Sequence, residues 1–147
     1  MIHPPHLRLV PPLKADPLVA WLALAQRDAR GFVARHGHVL SDPSLANWVL
    51  EECAERAWDP VARAGSWELL RVTELWLRLA NMHRFFPQPR LVIAYYDTLR
   101  LFLPWLVTQG RLPRERGVPM LEEHERAAEP LLERARDTLR ARMVRRR

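Results

Sequence analysis

The sequence predicts an all-α protein, built as a single bundle of about five helices. Leucine and alanine number 24 and 17, whereas valine, isoleucine and threonine together number 17, a balance that favours helix over strand. Only five of the 147 residues are glycines, which argues against a turn-rich β fold. In five segments, a helix start signal is followed by apolar residues at helical spacing. We expect one core within residues 17–139 and no internal domain boundary.

The first two helices have clear start signals. Asp16 and Pro17 predict an N-cap and a first-turn proline, and the helix should end near Gly37. Asp42 and Pro43 predict the second start, and this helix should stop before Pro60. Its apolar side is expected to face the core and carries Leu45, Trp48, Val49, Cys53 and Ala57.

The third and fourth helices are the most apolar. Ser66 is the expected cap of the third helix, and apolar residues surround much of its circumference, which is typical of a central helix. Trp76 should be among the most buried residues. The fourth helix is predicted over residues 90–103, and Pro104 should kink or end it. Residues 111–118 are then predicted to form a loop.

A long last helix is predicted to start at Pro119. Its apolar stripe runs to Leu139, and Pro130 predicts a kink or break near Ala128. Two terminal segments flank the bundle: a proline-rich arm over residues 1–16, expected to be extended, and a basic helical tail over residues 140–147.

The excess positive charge is confined to the C-terminus. The net charge is +6, yet residues 1–133 hold 16 basic and 16 acidic side chains. This distribution leaves two interpretations: a site for polyanions, or a solvated helix end whose cations complement the helix dipole. The arginines concerned are Arg134, Arg136, Arg140, Arg142, Arg145, Arg146 and Arg147.

Several classes of site are not expected. Cys53 is the only cysteine, which excludes an internal disulfide and fits a reducing, cytoplasmic compartment. There is no glycine-rich phosphate loop, no G-x-S-x-G and no E-x-x-H pattern, so we expect no cofactor and no metal site. No signal peptide is apparent, and the apolar stretch from Leu91 to Val107 is interrupted by charges and proline, so no membrane span is expected.

The aromatic residues could stack on nucleic-acid bases or pack in the core. Packing is the interpretation favoured for most of them, because aromatics at helical spacing usually face the core. The segment 83–90 is the most plausible exposed aromatic–basic loop. The stacking candidates are Trp58, Trp67, Phe85, Phe86, Tyr95 and Tyr96.

Arg78 and His83 form an R-x4-H spacing at the end of the third helix. This motif resembles the catalytic motif of HEPN-type ribonucleases, which are small helical bundles and commonly dimers. The resemblance implies that Arg78 would steady a phosphate and His83 would act in acid–base cleavage. It covers six residues, and the alternative is that Arg78 is solvated and His83 terminates the helix.

The functional expectation is a binding module without catalytic activity. Broadly apolar helices in a small bundle suit a protein partner, and a second copy of the chain is one candidate. The basic tail would assist that contact. Two alternatives stay open: a nucleic-acid-binding accessory protein that uses the arginine-rich C-terminus, and a HEPN-like ribonuclease.

Overall fold

The computed structural model describes residues 16–146 and confirms the all-α bundle of about five helices. Residues 1–15 of the expected proline-rich arm, and Arg147, lie outside the described residues. The described part also contains a two-stranded antiparallel hairpin and two short 3-10 turns. The helices are α1 (Pro17–His36), α2 (Pro43–Arg56), α3 (Val72–Phe85), α4 (Pro89–Thr108) and α5 (Arg114–Arg145); the strands are β1 (Trp58–Asp59) and β2 (Ala64–Gly65); and the 3-10 turns are Gly37–Val39 and Trp67–Leu69.

Helix α4 lies at the centre of the bundle. It packs most extensively against α5 and also contacts α1 and α2, while α3 packs on α5. Ten of its residues are buried, among them Leu99 and Phe102. By length and composition α4 is also long and apolar enough to cross a membrane, a test that the buried core helix of a globular protein passes equally well.

The two predicted N-caps are confirmed. The Asp16 carboxylate accepts a hydrogen bond from the Leu18 backbone N–H at 3.0 Å, and α1 ends at His36. The Asp42 carboxylate accepts from two backbone N–H groups in the first turn of α2, each at 3.1 Å. Because these signals act within three residues, they do not depend on the rest of the fold.

The predicted start of the third helix is wrong. The Ser66 hydroxyl accepts from the Glu68 N–H at 3.2 Å, but it caps a 3-10 turn, and α3 begins only at Val72. The reason is tertiary: the buried Trp67 indole donates to the Asp28 carboxylate of α1 at 2.9 Å, which fixes the turn. Asp28 also accepts from Arg111 Nε at 3.0 Å, so one carboxylate joins three segments.

Two core assignments also need correction. The apolar pattern around Leu77 predicts a helix buried on most sides, but Leu77 is 65% exposed, and α3 buries a single face. Trp48 is expected to face the core, but it is 43% exposed and meets the buried Tyr95 only edge to face. Trp76, by contrast, is 2% exposed, as expected.

The prolines and glycines of the second half do not break the helices where the sequence predicts. Helix α4 continues through Pro104; both Pro104 and Arg100, whose carbonyl loses its usual helical hydrogen bond, are exposed residues. Helix α5 starts at Arg114 rather than Pro119 and runs through Pro130 without a break. Gly117 is not a loop residue: a Cβ there would collide with Val107, so the glycine lets α5 approach α4.

A second glycine permits a close contact between the hairpin and α1. Gly65 in β2 lies directly against the indole ring of Trp21, with no room for a Cβ between them. The Trp21 Nε1–H donates to the Ala54 carbonyl of α2 at 2.8 Å. The hairpin, α1 and α2 therefore meet at one tryptophan.

Candidate polyanion-binding end

One end of the bundle gathers exposed arginines and apolar side chains that reach the surface, from three helices. We call it the cationic end; it comprises Arg84, Phe85, Phe86, Arg90, Arg134, Leu139, Arg142, Met143 and Arg146. Part of it is a groove of about 580 Å³ between the start of α4 and the last turns of α5. Leu139 and Met143 supply its apolar surface, and Arg90, Arg142 and Arg146 supply its charge.

The packing of α5 explains why these residues meet. Because α5 packs against both α3 and α4, its C-terminal half passes the point where α3 ends and α4 begins. Phe86 is the C-cap of α3 and Pro89 starts α4, so the connection between them is very short. The groove therefore depends on α5 remaining helical past Pro130.

His83 lies beneath this end and is held neutral. Its Nδ1 accepts a hydrogen bond from the Gln88 backbone N–H at 3.2 Å, which ties the end of α3 to the start of α4. Burial lowers the pKa of His83, and the nearby positive charges of Arg134 and Arg142 lower it further. Burial and the two arginines therefore both favour the neutral form of His83.

The C-terminal turns of α5 carry charge that is not neutralised locally. From Arg134 to Arg146 there are six arginines and one acid, Asp137. Asp137 pairs with Arg140 at 3.3 Å, and both side chains are highly exposed, so the pair contributes little. Among residues 16–146, Arg142, Arg145 and Arg146 form no ion pair.

The seven arginines predicted as a polyanion site do not share one face. Arg134 and Arg142 both act on His83, and Arg142 and Arg146 line the groove. Arg136 lies apart, in a shallow pocket beside Tyr96 and Glu125. Arg140 and Arg145 are exposed along the helix, and Arg147 lies outside the described residues.

Of the predicted stacking residues, only two are free to stack. Phe85 and Phe86 are 67% and 70% exposed. Trp67 and Tyr95 are buried, and Trp58 and Tyr96 are half-buried. What sequence reasoning missed is the apolar surface of the groove, because Leu139 and Met143 acquire this role only through their position beside Arg90.

The structure does not bring Arg78 and His83 around one cleft. Arg78 is exposed and lines two surface pockets, and His83 lines neither. Residues five apart are separated by about 140° around an α-helix, which places the two side chains on different faces of α3. The geometry therefore gives the ribonuclease hypothesis no shared site for phosphate and imidazole.

Other chemistry is sparse in the described residues. No group of three or more His, Cys, Asp or Glu side chains within 16–146 is arranged to hold a metal ion. Burial raises the pKa of Cys53 to about 12, so its thiol stays protonated and unreactive at neutral pH.

Comparison with known proteins supplies no relative from which a function could be transferred. No family model, curated protein or solved structure matches this chain. The class of protein is therefore given by the fold and the cationic end themselves: an all-α bundle with an exposed, positively charged and partly apolar end.

Proposed function

We propose that the protein is a non-catalytic binding module whose cationic end binds an acidic segment of a partner protein. The observation that carries this proposal is the groove, in which arginine charges and an apolar surface occur together. A partner that fills it needs both carboxylates and apolar side chains. An amphipathic helix with acidic residues beside its apolar face meets both requirements.

The apolar part of the groove favours a protein over a purely charged partner. Met143 is 64% exposed beside Arg142 and Arg146, and a flexible thioether adapts to varied apolar partners. The aliphatic stems of Arg90 and Arg142 add further apolar area beside it. Covering this surface would gain hydrophobic free energy that phosphate contacts alone cannot supply.

The two exposed phenylalanines extend the apolar surface of this end. Phe85 and Phe86 line a shallow pocket on α3 together with Met82. Exposed apolar residues gathered at one place often mark a protein contact, and aromatic side chains are enriched in interface centres. Their position at the α3–α4 connection places them at the same end as the groove.

Single-stranded nucleic acid is the second candidate partner. Exposed phenylalanines between Arg84 and Arg90 match the combination of stacking platforms and cations that such proteins use. The unneutralised arginines of α5 add a salt-dependent contribution to that binding. This candidate differs from the first in making no use of Met143.

A second copy of the chain, one candidate partner from the sequence, remains a separate proposal for another face of the bundle. A two-fold interface repeats the same surface on both subunits, so pairing through the cationic end would place Arg142 of each copy near the same arginines of the other. Like charges at close range oppose that pairing. Sedimentation equilibrium of the wild type and of Arg142→Glu tests this: a dimer through another face should have the same dissociation constant in both proteins, and a wild-type dimer that Arg142→Glu weakens would contradict it.

Fluorescence anisotropy with two defined probes tests the proposed function. The probes are an amphipathic helical peptide with acidic flanks and a single-stranded oligonucleotide of equal charge. We expect the peptide to bind more tightly, and Met143→Ser to weaken it about tenfold or more. Val144→Ser is the matched control, since Val144 is equally exposed but does not line the groove.

The protein partner and the nucleic-acid partner predict opposite effects of the substitutions on affinity. If the oligonucleotide binds more tightly, loses affinity in Phe86→Ser and is unaffected by Met143→Ser, the nucleic-acid candidate replaces the first. If Arg142→Gln lowers the affinity for neither probe by more than Arg27→Gln on α1 does, the cationic end is not the binding surface. Circular dichroism of each variant confirms that the bundle is intact.

A further inference from the structure

A second pocket lies between the end of α2, the hairpin and the start of α3, and it shares Arg78 with the shallow pocket beside Phe85 and Phe86. Its volume is about 380 Å³, at the small end of the range for ligand sites. Three arginines line it: Arg56 at the end of α2, Arg71 just before α3, and Arg78 in α3. Trp58 and Leu69 form apolar walls, and none of these residues belongs to the cationic end.

Arg56 is incompletely satisfied in this position. Its Nη2 reaches Glu52 on the same helix at 3.4 Å, a long contact. Its Nε is the one buried side-chain polar atom within residues 16–146 that has no hydrogen-bond partner. Buried polar groups without partners are rare in folded proteins, and those that occur often belong to sites that bind an ion or a ligand.

The carboxylates around the pocket are already engaged. Asp59 accepts hydrogen bonds from the backbone N–H groups of Val61 and Ala62 at 2.9 and 3.2 Å, which shapes the hairpin turn. Glu74 pairs with Arg71 at 3.2 Å. Arg78 forms no ion pair among the described residues, so its guanidinium is free to bind an added anion.

We propose that this pocket binds a small organic phosphate, with the phosphate group held by Arg56 and Arg78. Arginine presents paired N–H donors that match the oxygens of a phosphate, so two guanidiniums can hold one phosphate group by hydrogen bonds. The half-buried Trp58 and the partly exposed Leu69 provide a surface for a flat ring attached to the phosphate. A nucleoside monophosphate combines these two parts.

Thermal unfolding with three probes tests the proposal: adenosine monophosphate, inorganic phosphate and adenosine, all at equal ionic strength. A ligand that binds the folded state raises Tm with the logarithm of its concentration, by about 4 °C at ten times Kd for a chain of this length. We expect the largest rise with the monophosphate, a smaller rise with phosphate and none with adenosine. Arg78→Gln should abolish the rise, and Arg27→Gln on α1 should retain it.

Further variants separate the parts of the site. Arg56→Gln should also abolish the rise; if that variant does not fold, Arg78→Gln on the exposed face of α3 still decides. Trp58→Phe should retain the response, because a ring remains, and Trp58→Ser should reduce the monophosphate response to that of phosphate. An equal response in Arg78→Gln and Arg27→Gln overturns the proposal, and so does the absence of a response up to about 10 mM, which is ten times a Kd of about 1 mM. An equal rise in Tm with phosphate and with adenosine monophosphate would show that the adenosine ring makes no contact with Trp58 and Leu69.

Discussion

Two buried histidines show how differently the middle of the bundle and its cationic end use polar groups. Burial lowers the pKa of both His124 and His83, so both are neutral at pH 7. His124 has a partner for each ring nitrogen inside the core. Among residues 16–146, His83 has a hydrogen-bond partner for Nδ1 only, and it lies beneath arginines that form no ion pair with those residues. The middle satisfies its polar groups internally, whereas the cationic end leaves its charge exposed at the surface.

The geometry around His124 fixes its tautomer. The Trp76 indole N–H can only donate, and it reaches Nδ1 at 3.0 Å, so Nδ1 must be the unprotonated nitrogen. Nε2 therefore carries the hydrogen and donates to the Tyr96 carbonyl at 3.0 Å. This chain of bonds joins α3, α5 and α4 across the bundle.

The largest loss of stability should follow from Trp76→Ala. The substitution leaves a large cavity and removes the donor to His124 Nδ1, and we expect a cost of about 3–5 kcal/mol. Trp48→Ala is the matched control, since the same side chain is deleted at a half-exposed site, and should cost about 1 kcal/mol. Urea unfolding of both variants makes the comparison; equal costs would mean that the core does not centre on Trp76.

Asp28→Ala should have the next largest effect. It leaves the buried Trp67 indole N–H without an acceptor and Arg111 without its carboxylate, at a cost of about 2–3 kcal/mol. Asp137→Ala, which removes an exposed pair at the cationic end, should cost less than about 0.5 kcal/mol. Chemical denaturation measures the free energy of unfolding of both variants. A larger loss in Asp137→Ala than in Asp28→Ala would contradict the contrast between the middle of the bundle and its cationic end.

Stability should fall as the pH drops below about 6.5, the ordinary pKa of histidine. Because the folded-state pKa of His124 is lowered, the unfolded chain takes up the proton first, so acid favours unfolding until the folded-state pKa is passed. Protonation would also turn Nδ1 into a donor facing the Trp76 donor. His83 acts in the same direction.

Unfolding free energies between pH 7.5 and 5.5 measure this effect. His124→Gln keeps an acceptor and a donor but does not titrate, so its stability should depend less on pH than that of the wild type. His38→Gln, at an exposed position, should keep the full dependence. The same dependence in all three proteins would show that His124 is not the group responsible.

The smallest effect on stability should come from deleting residues 140–147. The described part of this segment is exposed, so the cost should be within about 0.5 kcal/mol. The deletion nevertheless removes five positive charges. If all five contact duplex DNA, the slope of log affinity against log salt should become shallower by about four to five units. A truncated protein that unfolds would show that Met143 and Val144 contribute to the core.

What could be predicted from the sequence were features with local causes. Asp16 and Asp42 cap helices through bonds to residues two or three positions away, so the start signals sufficed. Gly117 could not be interpreted in that way, because its meaning depends on Val107 in another helix. The same holds for Trp67, whose partner Asp28 lies far away in the sequence.

The candidate site also divides into features with local causes and features that depend on distant residues. Segment 83–90 and the C-terminal arginines could each be recognised as exposed and basic from composition alone. That Arg90 and Arg142 line one groove could not, because it depends on the path of α5 across Pro119 and Pro130. Proline inside a helix is ordinarily a signal of interruption, and here tertiary packing overrides it.

The contact between Gly65 and Trp21 has a consequence for how these two positions can vary among related sequences. Any side chain at position 65 would displace the indole, and the indole in turn holds the Ala54 carbonyl of α2. A change at one of these positions is therefore tolerated only with a compensating change at the other, for example a larger residue at 65 with a smaller one at 21. Descendants of a common ancestor that keep this hairpin should vary at the two positions as a pair, a pattern that marks kinship even where little else in the sequence is shared.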